Sequence, residues 1–401
     1  MNFRGSVIFL TILSVVILSV VVFARFRSAL VYYPYPYPLR TLVILLNHYP
    51  QTSLDVSGVK TWLNNDLSSN IARMSFNRER LDLTYVGPYV GDIENCEVVR
   101  YGVNMAYRAG IDLSQYNYFI VLRNADFDIY ECSDYGAGDY FSAGSYYPYE
   151  GGALSEVGVS TIVYPFPFSS PIGSGQSSAR TVHEFLHGYG RGTAHSIELI
   201  CFSDPGNPDT TRVPYHYVGD ESVLTSPYCR RGKSSWIDVM GGGGADYLEV
   251  NSILKQQYRW ITPGQSATVN GSALSAGQTI TLKPIETPAA PKETQSVVIP
   301  IPGTTKAYVL ELRGGPVYSG VGVYVYLTPG WYNFKPEPYQ EQYLLHIGDD
   351  YLYDQGPPYP QVPLPAPLKL GQTIIDPKMK LAVTIISASS TGAVLRVFTA
   401  P

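Results

Sequence analysis

The sequence predicts an α/β domain with a mostly parallel twisted sheet, followed by an all-β sandwich. Three observations carry this. Leu39 to Asn47 (Leu-Arg-Thr-Leu-Val-Ile-Leu-Leu-Asn) is an apolar run fit for a buried central strand. From there to about residue 264, strand-like runs alternate with segments of helical spacing, the pattern of a sheet with helices on its faces. From about residue 265 the texture changes to short alternating runs separated by turn residues, which suits two packed antiparallel sheets.

The elements follow in order. Residues 1–27 read as a transmembrane signal anchor or a signal peptide. Between Arg4 and Arg25 lie twenty residues without a charge, and residues 7–24 are long enough to span a bilayer. That length favours an uncleaved anchor, with Val22-Phe23-Ala24 the cleavage site if there is one. Residues 28–38, with Tyr32-Tyr33-Pro34-Tyr35-Pro36-Tyr37-Pro38, form a stiff linker or an arm packed on the domain. Residues 39–264 make the α/β domain. Val56 to Ile71 has helical spacing, as do Glu94 to Arg108, ending near Gly110. Leu81 to Val86, Tyr118 to Leu122 and Val159 to Tyr164 read as strands. Residues 124–157 are expected to hold a loop and an edge strand lining a cleft, where an extended peptide can add as a strand. Asp126, Asp128 and Asp139 in this stretch leave calcium open, but they lack a regular calcium-loop spacing, and a solvated loop is preferred.

Residues 265–401 make the sandwich, with strands at Thr279 to Leu282, Gln295 to Ile301, Ala307 to Leu312, Gly322 to Leu327, Glu341 to Ile347, Ala382 to Ile386 and Gly392 to Phe398. Pro357 to Pro367 carries six prolines and reads as a loop. No catalytic constellation falls in this half, and His346 reads as structural.

The chemistry sits in residues 183–195, His-Glu-Phe-Leu-His-Gly-Tyr-Gly-Arg-Gly-Thr-Ala-His. Three of the chain's six histidines lie in these thirteen residues, a concentration that points to one shared role. On a helix, His183 and His187 are one turn apart on one face, where both can hold one zinc ion. Glu184 beside them is the natural general base for a metal-activated water. Ser177 or Ser178 is a candidate N-cap, and Val182, Phe185 and Leu186 supply the apolar side. Gly188 and Gly190 permit a turn that brings His195 back as a third ligand, leaving one position open for water. The alternatives for that third ligand are Glu221 and His216.

A second landmark is Trp236-Ile237-Asp238-Val239-Met240-Gly241, which opens the glycine run Gly241 to Gly244 and precedes a helical segment ending Gln256-Gln257-Tyr258-Arg259-Trp260-Ile261. Together these stretches resemble the metzincin zinc metalloproteases, and within them the immune inhibitor A and gametolysin-like branch. The family pattern His-Glu-x-x-His-x-x-Gly-x-x-His is met here with two extra residues before Gly192-Thr193-Ala194-His195. Thr193 stands at the family's ordinary third position, and a threonine is a poor zinc ligand. The resemblance implies His183, His187 and His195 as zinc ligands, Glu184 as the catalytic base, and Met240 as the Met-turn methionine beneath the site. It also matches Cys201, six residues past His195, and Cys229, ahead of Met240. The four cysteines allow three pairings, of which Cys96–Cys132 and Cys201–Cys229 is the expected one. Some members add a tyrosine two residues after the methionine; Gly242 stands there, so that role is not carried over.

Composition suits an extracellular protein. Charged residues make up only 15% and Tyr, Pro and Gly are abundant, which favours β-structure and turns over a solvating surface. The net charge of −5, with no basic cluster beyond Arg230-Arg231-Gly232-Lys233, gives nucleic acid no footprint. The absence of Cys-x-x-Cys argues against a cytosolic redox role, and Asn270-Gly271-Ser272 is a glycosylation acceptor consistent with export. No cysteine precedes the first strand, so latency through a cysteine bound to the zinc is not supported.

The sequence therefore predicts an extracellular zinc endopeptidase, membrane-anchored or secreted, acting on protein or peptide substrates. The competing class is a membrane-tethered binding or adhesion protein with a degenerate protease domain. The two extra residues before Gly192, the N-terminal anchor and the Tyr/Pro/Gly-rich texture speak for it. Zinc content and activity separate the two.

Overall fold

The computed structural model describes residues 37–47, 54–91, 98–125, 140–141, 147–154, 157–165, 175–189, 196–202, 212–213, 229–234, 238–242, 249–270, 275–303, 306–314, 321–328, 331–332, 335–336, 342–345, 352–353, 363–364, 367–368, 370–376 and 380–400. The expected anchor, most of the linker, and Asp126, Asp128 and Asp139 lie outside these residues. Among the described residues, no helix is long and apolar enough to cross a membrane.

The fold is mixed α/β, with one mainly parallel sheet and several further β-sheets. The chain enters at β1 (Leu39–Asn47), where only Arg40 is exposed. It continues into α1 (Val56–Trp62), whose N-cap Asp55 accepts the Gly58 amide. A π-helical stretch Leu63–Ser68 and an α segment Ser69–Met74 prolong this helix. Val59, Trp62, Leu63, Leu67, Ile71 and Met74 form its buried face. Phe76 and Asn77, both left-handed at φ 58°, end it and turn the chain back to the sheet.

β2 (Leu81–Val90), α2 (Val98–Arg108) and β3 (Tyr118–Ala125) follow. Next come β4 (Tyr140–Phe141), a hairpin of β5 (Tyr147–Tyr149) and β6 (Gly152–Leu154), and β7 (Gly158–Pro165). The sheet order is β2-β1-β3-β7-β4. Its first three pairings are parallel, and β4 closes the edge antiparallel. Leu42, Ile44 and Leu46 of β1 and Phe119 and Val121 of β3 pack against Val98, Val99, Val103 and Ala106 of α2. Period-two alternation sends the intervening residues to the other face, where Tyr118 meets Phe185 of α3 (Gly175–Tyr189), ring centroids 4.5 Å apart.

After α3 come β8 (Ser196–Phe202), β9 (Arg212–Val213), β10 (Cys229–Ser234), α4 (Val239–Gly242) and α5 (Ser252–Gln257). Then follow β11 (Ser266–Thr268), β12 (Gln278–Leu282), β13 (Ser296–Pro300), β14 (Ala307–Arg313) and β15 (Gly322–Thr328). Two small hairpins, β16 (Trp331–Tyr332) with β17 (Lys335–Pro336) and β19 (Leu352–Tyr353) with β20 (Pro363–Leu364), flank β18 (Gln342–Leu345). The chain ends on β21 (Thr373–Asp376), β22 (Leu381–Ser389) and β23 (Gly392–Thr399).

The sandwich packs a sheet of order β12-β23-β22-β21 on an eight-stranded sheet of order β10-β8-β18-β15-β14-β13-β11, with β9 on β8. Leu282, Val383 and Leu395 of the first meet Ile299, Leu310 and Val325 of the second in one apolar core. Ile253 of α5 covers the opposite face of the larger sheet, on Val298, Val309, Tyr324 and Tyr326.

Two expectations are corrected, and one sheet has strands on both sides of residue 264. Ser177 and Ser178 do not cap α3, which starts at Gly175 and takes both into its first turn. The proline-rich stretch is not loop throughout, because Pro363 and Leu364 pair with Tyr353 and Leu352; proline is tolerated in so short a ribbon, where few ladder bonds are asked of it. The larger sheet also crosses residue 264. Its strands β8 to β10 precede that point, and β18, from the C-terminal third, pairs parallel with β8. The cause is register: Gln342 to Leu345 supply the backbone partners for Ser196 to Leu199.

Candidate metal centre

α3 carries the candidate site because its two faces have different work. Val182, Phe185, Leu186 and Tyr189 are buried and seat the helix. Phe185 continues into an aromatic stack with Tyr189, Tyr258 and Trp260, centroid spacings 4.9–5.6 Å along the stack. The Tyr118 hydroxyl donates to the Phe185 carbonyl at 2.8 Å, and the Tyr189 hydroxyl donates to the buried carboxylate of Glu79. Burial raises the Glu79 acid above its ordinary range, and the Tyr189 hydrogen bond opposes the shift. Gly188 was expected to loosen a loop. It is instead the penultimate residue of the helix, where a methyl group would collide with the Tyr118 hydroxyl and, at 2.7 Å, with the Val159 carbonyl. The absence of a side chain lets α3 lie directly on β7.

On the other face, His183 and His187 come together. Their rings are 4.5 Å apart and nearly perpendicular, and their Nε2 atoms face each other at 2.9 Å. Both residues are buried. His183 Nδ1 lies 2.7 Å from the Val239 carbonyl, an acceptor only, so Nδ1 carries a proton, and the neutral form of the ring has its lone pair on Nε2. A tetrahedral zinc ion with bonds of about 2.0–2.1 Å separates two nitrogens by about 3.3 Å. The rings need to part by only a few tenths of an ångström to admit it. Two imidazoles, one anchored through its second nitrogen to a carbonyl, are in their neutral forms a donor set that fits zinc.

Glu184 follows His183 on the α3 backbone. Met240 is fully buried on α4, which packs against α3. His195, His216 and Glu221 lie outside the described residues, as do Cys96, Cys132 and His346. Among the described residues, no group of three or more His, Cys, Asp or Glu side chains gathers around one point. Cys201 and Cys229 are direct partners in the antiparallel register of β8 and β10.

The sequence reading missed what holds the Val239 carbonyl in place. Asp238 is buried and accepts the Met240 amide at 2.8 Å and the Asn251 amide at 3.0 Å. Burial pushes its acid up to about 6; the nearby Arg313 guanidinium and the two amides pull the other way. The Val239 amide donates to the Glu249 carbonyl at 2.8 Å. The Glu249 carboxylate pairs with Lys255 Nζ at 3.0 Å and with Arg73 Nη1 at 3.2 Å. Desolvation lowers the Lys255 ammonium below its ordinary value, and Glu249 resists that. One signal was available. An aspartate two residues before Met240, followed by glycines, is suited to bond the backbone of its own turn.

No protein-family model matches this chain, and no curated protein matches it. The functional reading therefore rests on the residues and on their geometry.

Proposed function

We propose that this protein is a zinc-dependent extracellular endopeptidase of the metzincin kind. The observation that carries the reading is the convergence of the His183 and His187 Nε2 atoms on one helix face, with His183 oriented through Nδ1 by Val239. His183 and His187 would hold the metal, with His195 the third ligand expected from the sequence. A bound zinc ion supplies an acidified water and polarises the carbonyl to be cleaved. Glu184 takes the proton from the attacking water and delivers it to the leaving amine. Buried His183 and His187 keep fixed rings, so the site needs little rearrangement when substrate arrives. The short antiparallel edge strand β4 offers backbone groups to an extended peptide.

Casein cleavage and zinc content, measured on the protein and on Glu184→Ala, test the reading. Cleavage by the protein, with loss of cleavage but retained zinc in Glu184→Ala, supports it. A protein that takes up no zinc and cleaves nothing supports the alternative of a surface-binding module.

A further inference from the structure

We propose that Glu311, Arg313 and Tyr326, buried in the C-terminal sandwich, are positioning residues for the metal ligand His183. The inference rests on the zinc-site reading above and gives the sandwich a part in it. Glu311 and Arg313 are two apart on β14, so they share the face turned toward α5 rather than the apolar core between the sheets. Glu311 Oε1 accepts from Arg313 Nε at 2.6 Å and from the Tyr326 hydroxyl at 3.2 Å. Arg313 Nη2 also reaches the Tyr326 oxygen at 3.3 Å. Glu311 Oε2 accepts the backbone amide of Ser252 at 2.6 Å.

Ser252 opens α5, and its neighbour Asn251 donates its own amide to Asp238. Asp238 in turn binds the Met240 amide, and Val239 stands between them with its carbonyl on His183. Every residue on this path is buried. A rigid path thus runs from the sandwich to the nitrogen that sets the ring angle of His183.

Stability alone does not explain these charges. Replacing a buried ion pair by apolar side chains of similar volume is often neutral or stabilising, because desolvation offsets the attraction. The positions that β14 gives to Glu311 and Arg313 lie among Val309, Tyr324 and Tyr326, where apolar residues pack well. What the charges add is direction: one carboxylate holds the first amide of α5 and one guanidinium holds that carboxylate. Outer hydrogen-bond partners of this kind fix the orientation and basicity of a metal-binding imidazole.

The test uses the full chain and four proteins: wild type, Glu311→Gln, Tyr326→Phe and the control Val309→Ala, which thins the packing beside Tyr326 but removes none of the hydrogen-bonding groups of the path. Zinc affinity is measured by chelator competition, and the visible spectrum of the cobalt-loaded protein reports ligand geometry. Expected are a zinc affinity about 10–100-fold weaker in Glu311→Gln, a smaller loss in Tyr326→Phe, shifted cobalt bands in both, and neither change in Val309→Ala. Should Glu311→Gln fail to fold, Tyr326→Phe alone decides. A wild type that binds zinc, with Tyr326→Phe and any folded Glu311→Gln indistinguishable from it, overturns the positioning role and leaves the site standing. An equal loss in Val309→Ala overturns it too, since general loosening would then suffice. A wild type that takes up neither metal overturns the site itself and this inference with it.

Discussion

β1 and β14 are both central strands, the first buried along its length except at Arg40 and the second buried throughout. β1 fills its two faces with Leu42 to Leu46, and its sheet carries α2 on one face and α3 on the other. β14 divides its faces: Tyr308, Leu310 and Leu312 enter the core between the sheets, while Glu311 and Arg313 sit on the side of α5. The parallel half thus gains its order from apolar packing and offers α3 a firm seat. The sandwich half places paired charges where they reach the turn beside α3. In the proposed reading, the candidate ligands His183 and His187 come from one half of the fold and the buried charges that brace the Asp238–Val239 turn come from the other.

The largest expected effect tests the ligand side. His183→Ala should abolish zinc uptake and lower peptide cleavage by more than about a thousandfold, beyond the loss of a single transition-state hydrogen bond. Metal analysis and a casein assay check this; a variant that kept its zinc would remove His183 from the site. Phe185→Ala tests the seat. Its ring is fully buried between Tyr118 and Tyr189, so unfolding free energy should drop by about 3–5 kcal/mol in a urea titration. A loss below about 1 kcal/mol would mean that the apolar half depends little on the packing of this ring.

Asp238 tests the orienting side through pH. Its folded acid is raised to about 6, above the unfolded value, so folding favours the protonated form. That contribution is fully present below about pH 4 and is lost as pH rises through about 6. Asp238→Asn should therefore flatten the stability profile across this window, by up to about 3 kcal/mol at roughly 1.4 kcal/mol per pKa unit. An unchanged slope would assign the titration to another group. The smallest effect is expected at the surface pair Arg108–Glu150, exposed on both sides. Arg108→Ala should leave the melting temperature unchanged within error, since solvent screens such pairs. A clear drop there would show that exposed charges matter in this fold as much as buried ones.

The strands were legible wherever hydrophobic period decided the matter. β1 matches its predicted bounds, and β7, β14, β15 and β23 fall within a residue or so of theirs. The histidine pair was legible because a spacing of four fixes which side chains meet on a helix. Three features were not. Helix α3 begins two residues ahead of its serines, since a serine fits a first turn as well as a cap position. Gly188 looked like loop freedom because its neighbours Tyr118 and Val159 are distant in sequence and only the fold brings them to it. The path from Glu311 to His183 depends on pairings between residues up to 59 positions apart, which no local pattern encodes. Glu311 and Arg313 did carry a hint, opposite charges two apart within an apolar strand.

The parallel pairing of β8 with β18 also sets an order of manufacture. A chain made from its N-terminus produces α3 and β8 long before Gln342 to Leu345 exist. Until those residues arrive, β8 lacks its neighbour on the side that β18 takes, and the larger sheet stays open. Long-range pairings of this type form late. Incomplete copies of the chain accordingly hold both histidines without the finished scaffold. Synthesis itself interposes a delay between the appearance of His183 and His187 and the completion of the framework around them.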